Sequence, residues 1–380
     1  MTIALTNARL LMAGGILENH AVIIEGDRIQ AICSVHDVPA GADVESLEGA
    51  WLAPGFIDLQ LNGCGGVLFN ADISADTIAT MHATNLRSGC TAFLPTLITA
   101  PEADIRAALA VVAEAHAKQP DNILGIHLEG PFINPARKGI HNAAYIKPMT
   151  DAVVELVCKY AAQMPVLLTL APERNTVEHM RTLSQAGVIL SAGHSNATFE
   201  EARKGFDAGI RTATHLFNAM SPLEGRAPGL VGALLTEPSV SSGIIADGHH
   251  VSYDSIRLAH KIKGDRLYLV TDAVTPTGTD MTEFPFAGQD IYVRDGKCVN
   301  SDGTLSGAMV TLLESLQNVV ENTQIALPEA SRMCSQYPAS VLGLADRTGR
   351  IAPGTVANLV AFDDRFNLIQ TWDRGVPAIN

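Results

Sequence analysis

No run of ~18 consecutive apolar residues occurs in the 380-residue sequence, so no segment is expected to span a bilayer. Basic residues are in deficit: 26 Lys and Arg face 40 Asp and Glu, a formal net charge of −14. That disfavours a general nucleic-acid or anionic-membrane binder, which needs a basic field. It leaves room for an anionic small molecule, because one site can be basic on an acidic protein. The stretch Met1 to Leu11 lacks the basic start and cleavage site of a signal peptide. The six cysteines (Cys33, Cys64, Cys90, Cys158, Cys298, Cys334) form no C-x-x-C pair. Neither a disulfide framework nor a zinc knuckle fits that scatter, and a cytoplasmic location is expected. No G-x-G-x-x-G opens a helix, which weakens a Rossmann reading, and neither repeats nor low-complexity linkers appear.

What is present is a large apolar fraction, 47 % of residues, with 17 % charged. This supports a sizeable core and excludes wholesale disorder. Short strand patterns open the chain at Ile3 to Leu5, Ala21 to Ile24 and Ile29 to Ile32. Similar ones close it at Ala357 to Phe362 and Ile369 to Trp372. Neither end can bury a core alone. Residues 1–52 and 353–380 are therefore expected to form one small β domain. Between them, over 53–352, eight apolar runs rich in β-branched residues alternate with helical patterns. The runs are Gly55 to Leu61, Ala92 to Leu97, Leu124 to Leu128, Val166 to Leu170, Val188 to Ala192, Thr212 to Leu216, Gly243 to Ala246 and Leu267 to Val270. Helical patterns include Ile78 to Arg87, Ile105 to Ala117, Val177 to Ala186 and Phe199 to Ala208. Strands alternating with helices imply a parallel sheet, and eight units imply an α/β fold of the (β/α)₈ TIM-like barrel class. A doubly wound open sheet is the alternative.

Polar or ionisable groups end most of these runs: Asp58 and Gln60, His127 and Glu129, Glu173, His194, His215, then Asp247, His249 and His250, and finally Asp272. In a barrel such positions sit at the C-terminal rim, where active sites form. A lone strand-end histidine more often satisfies a local carbonyl. Glu129, His194 and His215 at separate rims instead make the carboxylate-plus-two-imidazole set of a hydrolytic metal site. Asp272 alone reads as a turn residue before Thr275-Pro276-Thr277-Gly278; beside such a triad it reads as a general base. His127 is expected to support by hydrogen bonding, and His249 to point away from His250 by strand alternation.

The ordered segments Pro54-Gly55-Phe56-Ile57-Asp58, His127-Leu128-Glu129-Gly130-Pro131, Ser191-Ala192-Gly193-His194-Ser195, Thr214-His215-Leu216-Phe217-Asn218-Ala219, Ile245-Ala246-Asp247-Gly248, Val270-Thr271-Asp272-Ala273 and Gly303-Thr304-Leu305-Ser306-Gly307 resemble the N-acetylglucosamine-6-phosphate deacetylases of the metal-dependent amidohydrolase superfamily. The resemblance spans nearly the whole chain, both ends included, and implies that residues 1–52 and 353–380 form a small β-sandwich domain. It implies hydrolysis of a 2-acetamido group on an amino-sugar phosphate, with Glu129, His194 and His215 holding the metal and Asp272 as general base and then acid. It also implies substrate contacts from Ile140, His141, Asn218, Ala219, Arg226, His250, Leu305, Ser306 and Gly307, and a homodimer. Arg226 suits phosphate, which a guanidinium clamps in bidentate fashion.

The chain departs from many superfamily members where they carry His-x-His on strand 1 for a second cation; here the residues are Gln60-Leu61-Asn62. Neutral amides are poor transition-metal ligands, so one divalent ion per chain is expected. Zn²⁺ is the first choice, and Fe²⁺, Mn²⁺ or Co²⁺ also fit the donor set. Two alternatives remain: a deacetylase of another N-acetyl-hexosamine 6-phosphate, such as the galactosamine epimer, and a non-catalytic barrel that binds sugar phosphate.

Overall fold

The computed structural model of the protein describes residues 2–378; residues 1, 379 and 380 of the expected terminal domain lie outside it. Eight parallel strands carry the middle of the chain: β1 (Phe56–Leu61), β2 (Cys90–Ile98), β3 (Ile126–Glu129), β4 (Val166–Leu170), β5 (Ile189–Ala192), β6 (Ile210–Ala213), β7 (Ser242–Ile245) and β8 (Leu267–Val270). Strands β1 to β6 form one sheet in sequential order, and β7 pairs with β8. Hydrogen bonds cross both remaining gaps. Ser241 N donates to Arg211 O and Leu216 N to Gly243 O between β6 and β7, and Asp272 N donates to Gln60 O between β8 and β1. This ring is consistent with a TIM-like barrel. Most of its strands are buried along their whole length (β4, Val-Leu-Leu-Thr-Leu, throughout). That two-sided burial is why they read as continuous apolar runs rather than alternating ones.

Helices α1 (Ala75–Leu86), α2 (Glu102–Lys118), α3 (Asp151–Ala161), α4 (Val177–Gln185), α5 (Phe199–Asp207), α6 (Gly229–Thr236), α7 (Tyr253–Lys263) and α8 (Leu312–Thr323) connect or follow the strands. Side-chain caps start several of them. Ser74, Thr150, Thr176 and Ser252 each accept a first-turn N–H, and Thr198 with Glu201 and Thr311 with Glu314 form capping boxes.

Two strand expectations shift by a few residues. The run from Leu124 begins as a strand only at Ile126, because Gly125 sits at φ +152°. The run Thr212 to Leu216 is a strand over Ile210–Ala213 instead, because His215 turns to φ +36° and takes the backbone out of the extended region.

The chain ends build two further sheets. Thr2–Thr6, His20–Glu25, Arg28–Ser34 and Asp43–Ser46 form a four-stranded sheet. The other has six strands and pairs Trp51–Pro54 antiparallel with Leu359–Phe362. Leu5, Leu10, Ile24, Leu52, Leu359 and Trp372 belong to one buried cluster shared by both sheets. After β8 comes an antiparallel meander absent from the sequence reading, Glu283–Phe286, Gln289–Arg294 and Lys297–Val299. Its turns are Ala287-Gly288 and Asp295-Gly296, all four residues at positive φ, which is the twist-matched hairpin geometry. Asp295-Gly296 was the available signal. Among the described residues no helix is long and apolar enough to cross a membrane.

Candidate active site at the strand C-termini

Glu129 is the last residue of β3, while His194, His215 and Asp272 each lie two residues past the ends of β5, β6 and β8. All three of the latter have positive φ (+48°, +36° and +53°). A non-glycine residue there carries strain of about 1–3 kcal/mol. The reversal swings each side chain inward over the strand ends. Gly193 permits this crowding: a Cβ there would sit 2.8 Å from Thr169 Cγ2 and 3.0 Å from Thr214 Cβ.

The three ligand candidates converge. His194 Nε2 lies 2.9 Å and His215 Nε2 3.0 Å from Glu129 Oε1, and the two Nε2 atoms are 3.1 Å apart. His194 Nδ1 donates to the Arg137 carbonyl at 2.7 Å, which frees Nε2 for a cation. Glu129, His141 and His194 form an overlapping group with ligand atoms within 4.8 Å. His141 is the looser member, with Nε2 at 3.9 Å from Glu129 Oε1 and Nδ1 engaged by Thr99 Oγ1 at 2.8 Å. Burial acts to raise the Glu129 carboxyl, but the two imidazoles against it pull it well below the usual range. Burial pushes His215 down, and its hydrogen bond to Glu129 more than offsets this, leaving it raised. A buried carboxylate sharing one oxygen with two imidazoles is the donor chemistry that suits a divalent cation.

Asp272 faces the same cleft. Burial pushes its carboxyl up to about 6, with the Glu129 charge adding to the effect. Asn62 Nδ2 donates to Asp272 Oδ1 at 2.7 Å, and Gln60 Nε2 donates to Asp272 Oδ1 and Glu129 Oε2 at 3.1 Å each. His250 Nδ1 donates to Asp247 Oδ2 at 2.6 Å, while Asp247 Oδ1 accepts the N–H groups of His249 and His250. Hydrogen bonds and charge from His250 thus outweigh burial and hold Asp247 down at about 2.

The cleft has a volume of about 480 Å³ and is lined by the triad and Asp272, by Asn218, Ala219 and His250, and by Ile140, His141, Leu305 and Gly307. Two proposed site residues lie elsewhere. Ser306 is fully buried, with Oγ donating to Thr304 O. Arg226 lines an adjacent cavity of about 420 Å³. Arg137 lines both cavities and was missed by the sequence reading. Its place between Glu129 and His141, in Pro135-Ala136-Arg137-Lys138-Gly139, was the signal. Phe286, from the meander, and Ile98 complete an apolar wall.

Other rim residues serve the scaffold. Asp58 is bound by Thr271 Oγ1 and by the N–H groups of Gln60 and Thr271, tying β1 to β8. Burial pushes it up to about 7. Glu173 accepts from Asn134, Ser195 Oγ and Asn196 N. His127 lies beneath the triad. Its Nδ1 meets the Leu59 carbonyl at 3.0 Å and its Nε2 meets Thr169 Oγ1 at 2.7 Å. The chain continues from Thr169 to Thr214 and from Thr214 to Ser191, both at 2.6 Å. A carbonyl can only accept, so His127 donates from Nδ1 and every hydroxyl then donates toward Nε2. Burial holds His127 down at about 4, so the ring is neutral.

A model of the amidohydrolase family matches residues 51–378, and a NagA composite domain matches residues 3–52. The chain is 41 % identical to an N-acetylglucosamine-6-phosphate deacetylase of Haemophilus influenzae over 99 % of both chains. It is 35 % identical to an N-acetylgalactosamine-6-phosphate deacetylase of a Shewanella species, over 97 % of this chain and 94 % of that one. The crystal structure of N-acetylglucosamine-6-phosphate deacetylase from Pasteurella multocida superposes with a TM-score of 0.97, at 43 % identity and full coverage of both chains.

Proposed function

The chain belongs to the amidohydrolase family, and from that premise we propose that it hydrolyses N-acetyl-D-glucosamine 6-phosphate to D-glucosamine 6-phosphate and acetate. The observation that carries the reading is the convergence of Glu129, His194 and His215 within 3.1 Å beside Asp272 in one cleft. Glu129, His194 and His215 would hold one divalent cation, with Zn²⁺ the first choice for that donor set. When bound, such a cation lowers the pKa of water toward ~7 and supplies a nucleophile at neutral pH.

Asp272 takes a proton from water as the new C–O bond forms, and returns it to nitrogen as the C–N bond breaks. The products are a free amine and acetate, whose acid proton goes to solvent. In its protonated form His250, whose Nδ1 donates to Asp247, also donates from Nε2 to the carbonyl oxygen as negative charge builds there, with Asp247 fixing its ring. The phosphate is received by Asn218, the Ala219 N–H and the guanidinium of Arg137, the arginine that lines the cleft. Arg226 would act from the neighbouring cavity. We read the ring of eight strands, within 53–352, as a closed (β/α)₈ barrel, and the two terminal sheets, residues 1–52 and 353–380, as a small β-sandwich.

The test is acetate release by wild type and by Asp272→Asn, with metal content measured on the same samples. The expected result is activity in wild type near one metal per chain, and a loss of about 10²–10⁴-fold in the variant with metal retained. A variant as active as wild type would overturn Asp272's role. A metal-loaded wild type that releases acetate only from the galactosamine epimer would move the assignment to that substrate, on which the Shewanella relative acts by name.

A further inference from the structure

The strand-1 amides Gln60 and Asn62 stand where many superfamily members carry His-x-His, and they make contacts of their own. Asn62 Nδ2 donates to Asp272 Oδ1 at 2.7 Å, and Gln60 Nε2 donates to the same oxygen at 3.1 Å. The other hydrogen of the Gln60 amide reaches Glu129 Oε2 at 3.1 Å, so this side chain bridges the carboxylate of the triad and that of the base. A carboxylate has two equivalent oxygens and a soft terminal torsion. Two donors on Oδ1 remove both the equivalence and the rotation.

The backbone supports the clamp. Asn62 N donates to Ala273 O and Asp272 N donates to Gln60 O, both at 2.9 Å. Amides and carboxylate therefore ride on hydrogen-bonded neighbours across the β1–β8 seam.

The orientation of Asn62 is also held against a penalty. Its side chain is buried, and Oδ1 has no hydrogen-bond partner. A buried acceptor without a donor is destabilising. Flipping the amide would set its oxygen against the Asp272 carboxylate, so the fold keeps Nδ2 on Asp272 and leaves Oδ1 unsatisfied.

We infer that Asn62, seconded by Gln60, is a positioning residue for Asp272: the two amides hold Oδ1 and present Oδ2 as the oxygen that takes and returns the proton. This rests on the deacetylase reading for its chemistry, but the clamp itself is a statement about side-chain order.

Asn62→Leu tests it, being close in shape and lacking both amide atoms. The variant removes the donor to Asp272 together with the orphaned acceptor. The expected result is kcat lower by about 10–100-fold, with KM within about threefold of wild type, one metal per chain retained and no fall in Tm. Its crystal structure should show the Asp272 carboxylate in more than one rotamer. A merely structural role for Asn62 predicts that Tm, metal content and kcat fall together, and that result overturns the inference. So does an unchanged kcat. The rotamer readout needs no turnover. A wild type that releases no acetate refutes the function, while a singly ordered Asp272 in the variant refutes the clamp.

Discussion

Thr169→Val should destabilise the barrel far more than removing one oxygen from a side chain normally does. The hydroxyl is fully buried and used twice, donating to His127 Nε2 at 2.7 Å and accepting from Thr214 Oγ1 at 2.6 Å. Valine fills the same space, leaving His127 without a donor and Thr214 without an acceptor. Each orphaned group costs about 1–3 kcal/mol, and the added methyl returns about 0.8 kcal/mol. The net loss is about 1–5 kcal/mol. At about 2.1 cal/mol/K of unfolding entropy per residue, the 380-residue chain converts that to a fall in Tm of about 1–6 °C. Calorimetry on metal-loaded wild type and variant measures it. Thr169→Val/Thr214→Val supplies the sharper check, since the second substitution removes the donor that the first had orphaned. The double variant should lose less than the sum of the two singles. A shift below 1 °C in the single variant, or strict additivity in the pair, would refute the directional chain.

Asp247→Asn should lower kcat about 10-fold or more, because His250 loses the carboxylate that holds its Nδ1–H. Acetate release at saturating substrate reads this. The same variant carries a pH signature. Asp247 sits at about 2 in the folded chain, below its ordinary 3.8, so its contribution of about 2 kcal/mol is present above pH ~4 and disappears as pH falls through ~2. The stability gap between wild type and variant should narrow over that interval; a gap that widens on acidification contradicts it. Stripping the metal with a chelator should lower Tm and re-addition should restore it, since ligand at 100 times Kd stabilises by about 2.7 kcal/mol; an unchanged Tm rules out a cation at the triad. Lys263→Met should cost about 2 kcal/mol or more by denaturant unfolding. The buried ammonium donates to Leu234 O and Glu237 O at 2.7 Å each, at the end of α6.

The strands were legible because two-sided burial writes itself as unbroken Val, Ile and Leu runs, and β4 and β8 match their apolar runs residue for residue. Strand ends were less so. Whether a rim residue turns into the cleft depends on the dihedral that follows the strand, and nothing in Ala-Thr-His-Leu announces that His215 adopts φ +36°. The same limit applies to Asp58 and Glu173, which look like rim groups in sequence but are consumed by scaffold hydrogen bonds. The sequence pointed to Arg226 for phosphate and passed over Arg137. Only the folding of the loop between β3 and α3 brings Arg137 to the cleft wall. Gln60 and Asn62 registered in the sequence as missing ligands. Their use as donors depends on the register between β1 and β8, which spacing along one chain does not encode.

The antiparallel pairing of Trp51–Pro54 with Leu359–Phe362 places a demand on the protein while it is being made. The two segments lie about 300 residues apart, so at about 5–20 residues per second the first waits roughly 15–60 s for the second to be synthesised. Throughout that interval the nascent N-terminal strands show an open edge and most of a buried cluster to other chains on the same messenger. The barrel strands between them can form in the order they emerge, but the terminal layer closes last, like a clasp. A circular permutant that makes the two segments neighbours in sequence would remove the wait without altering a contact in the finished molecule.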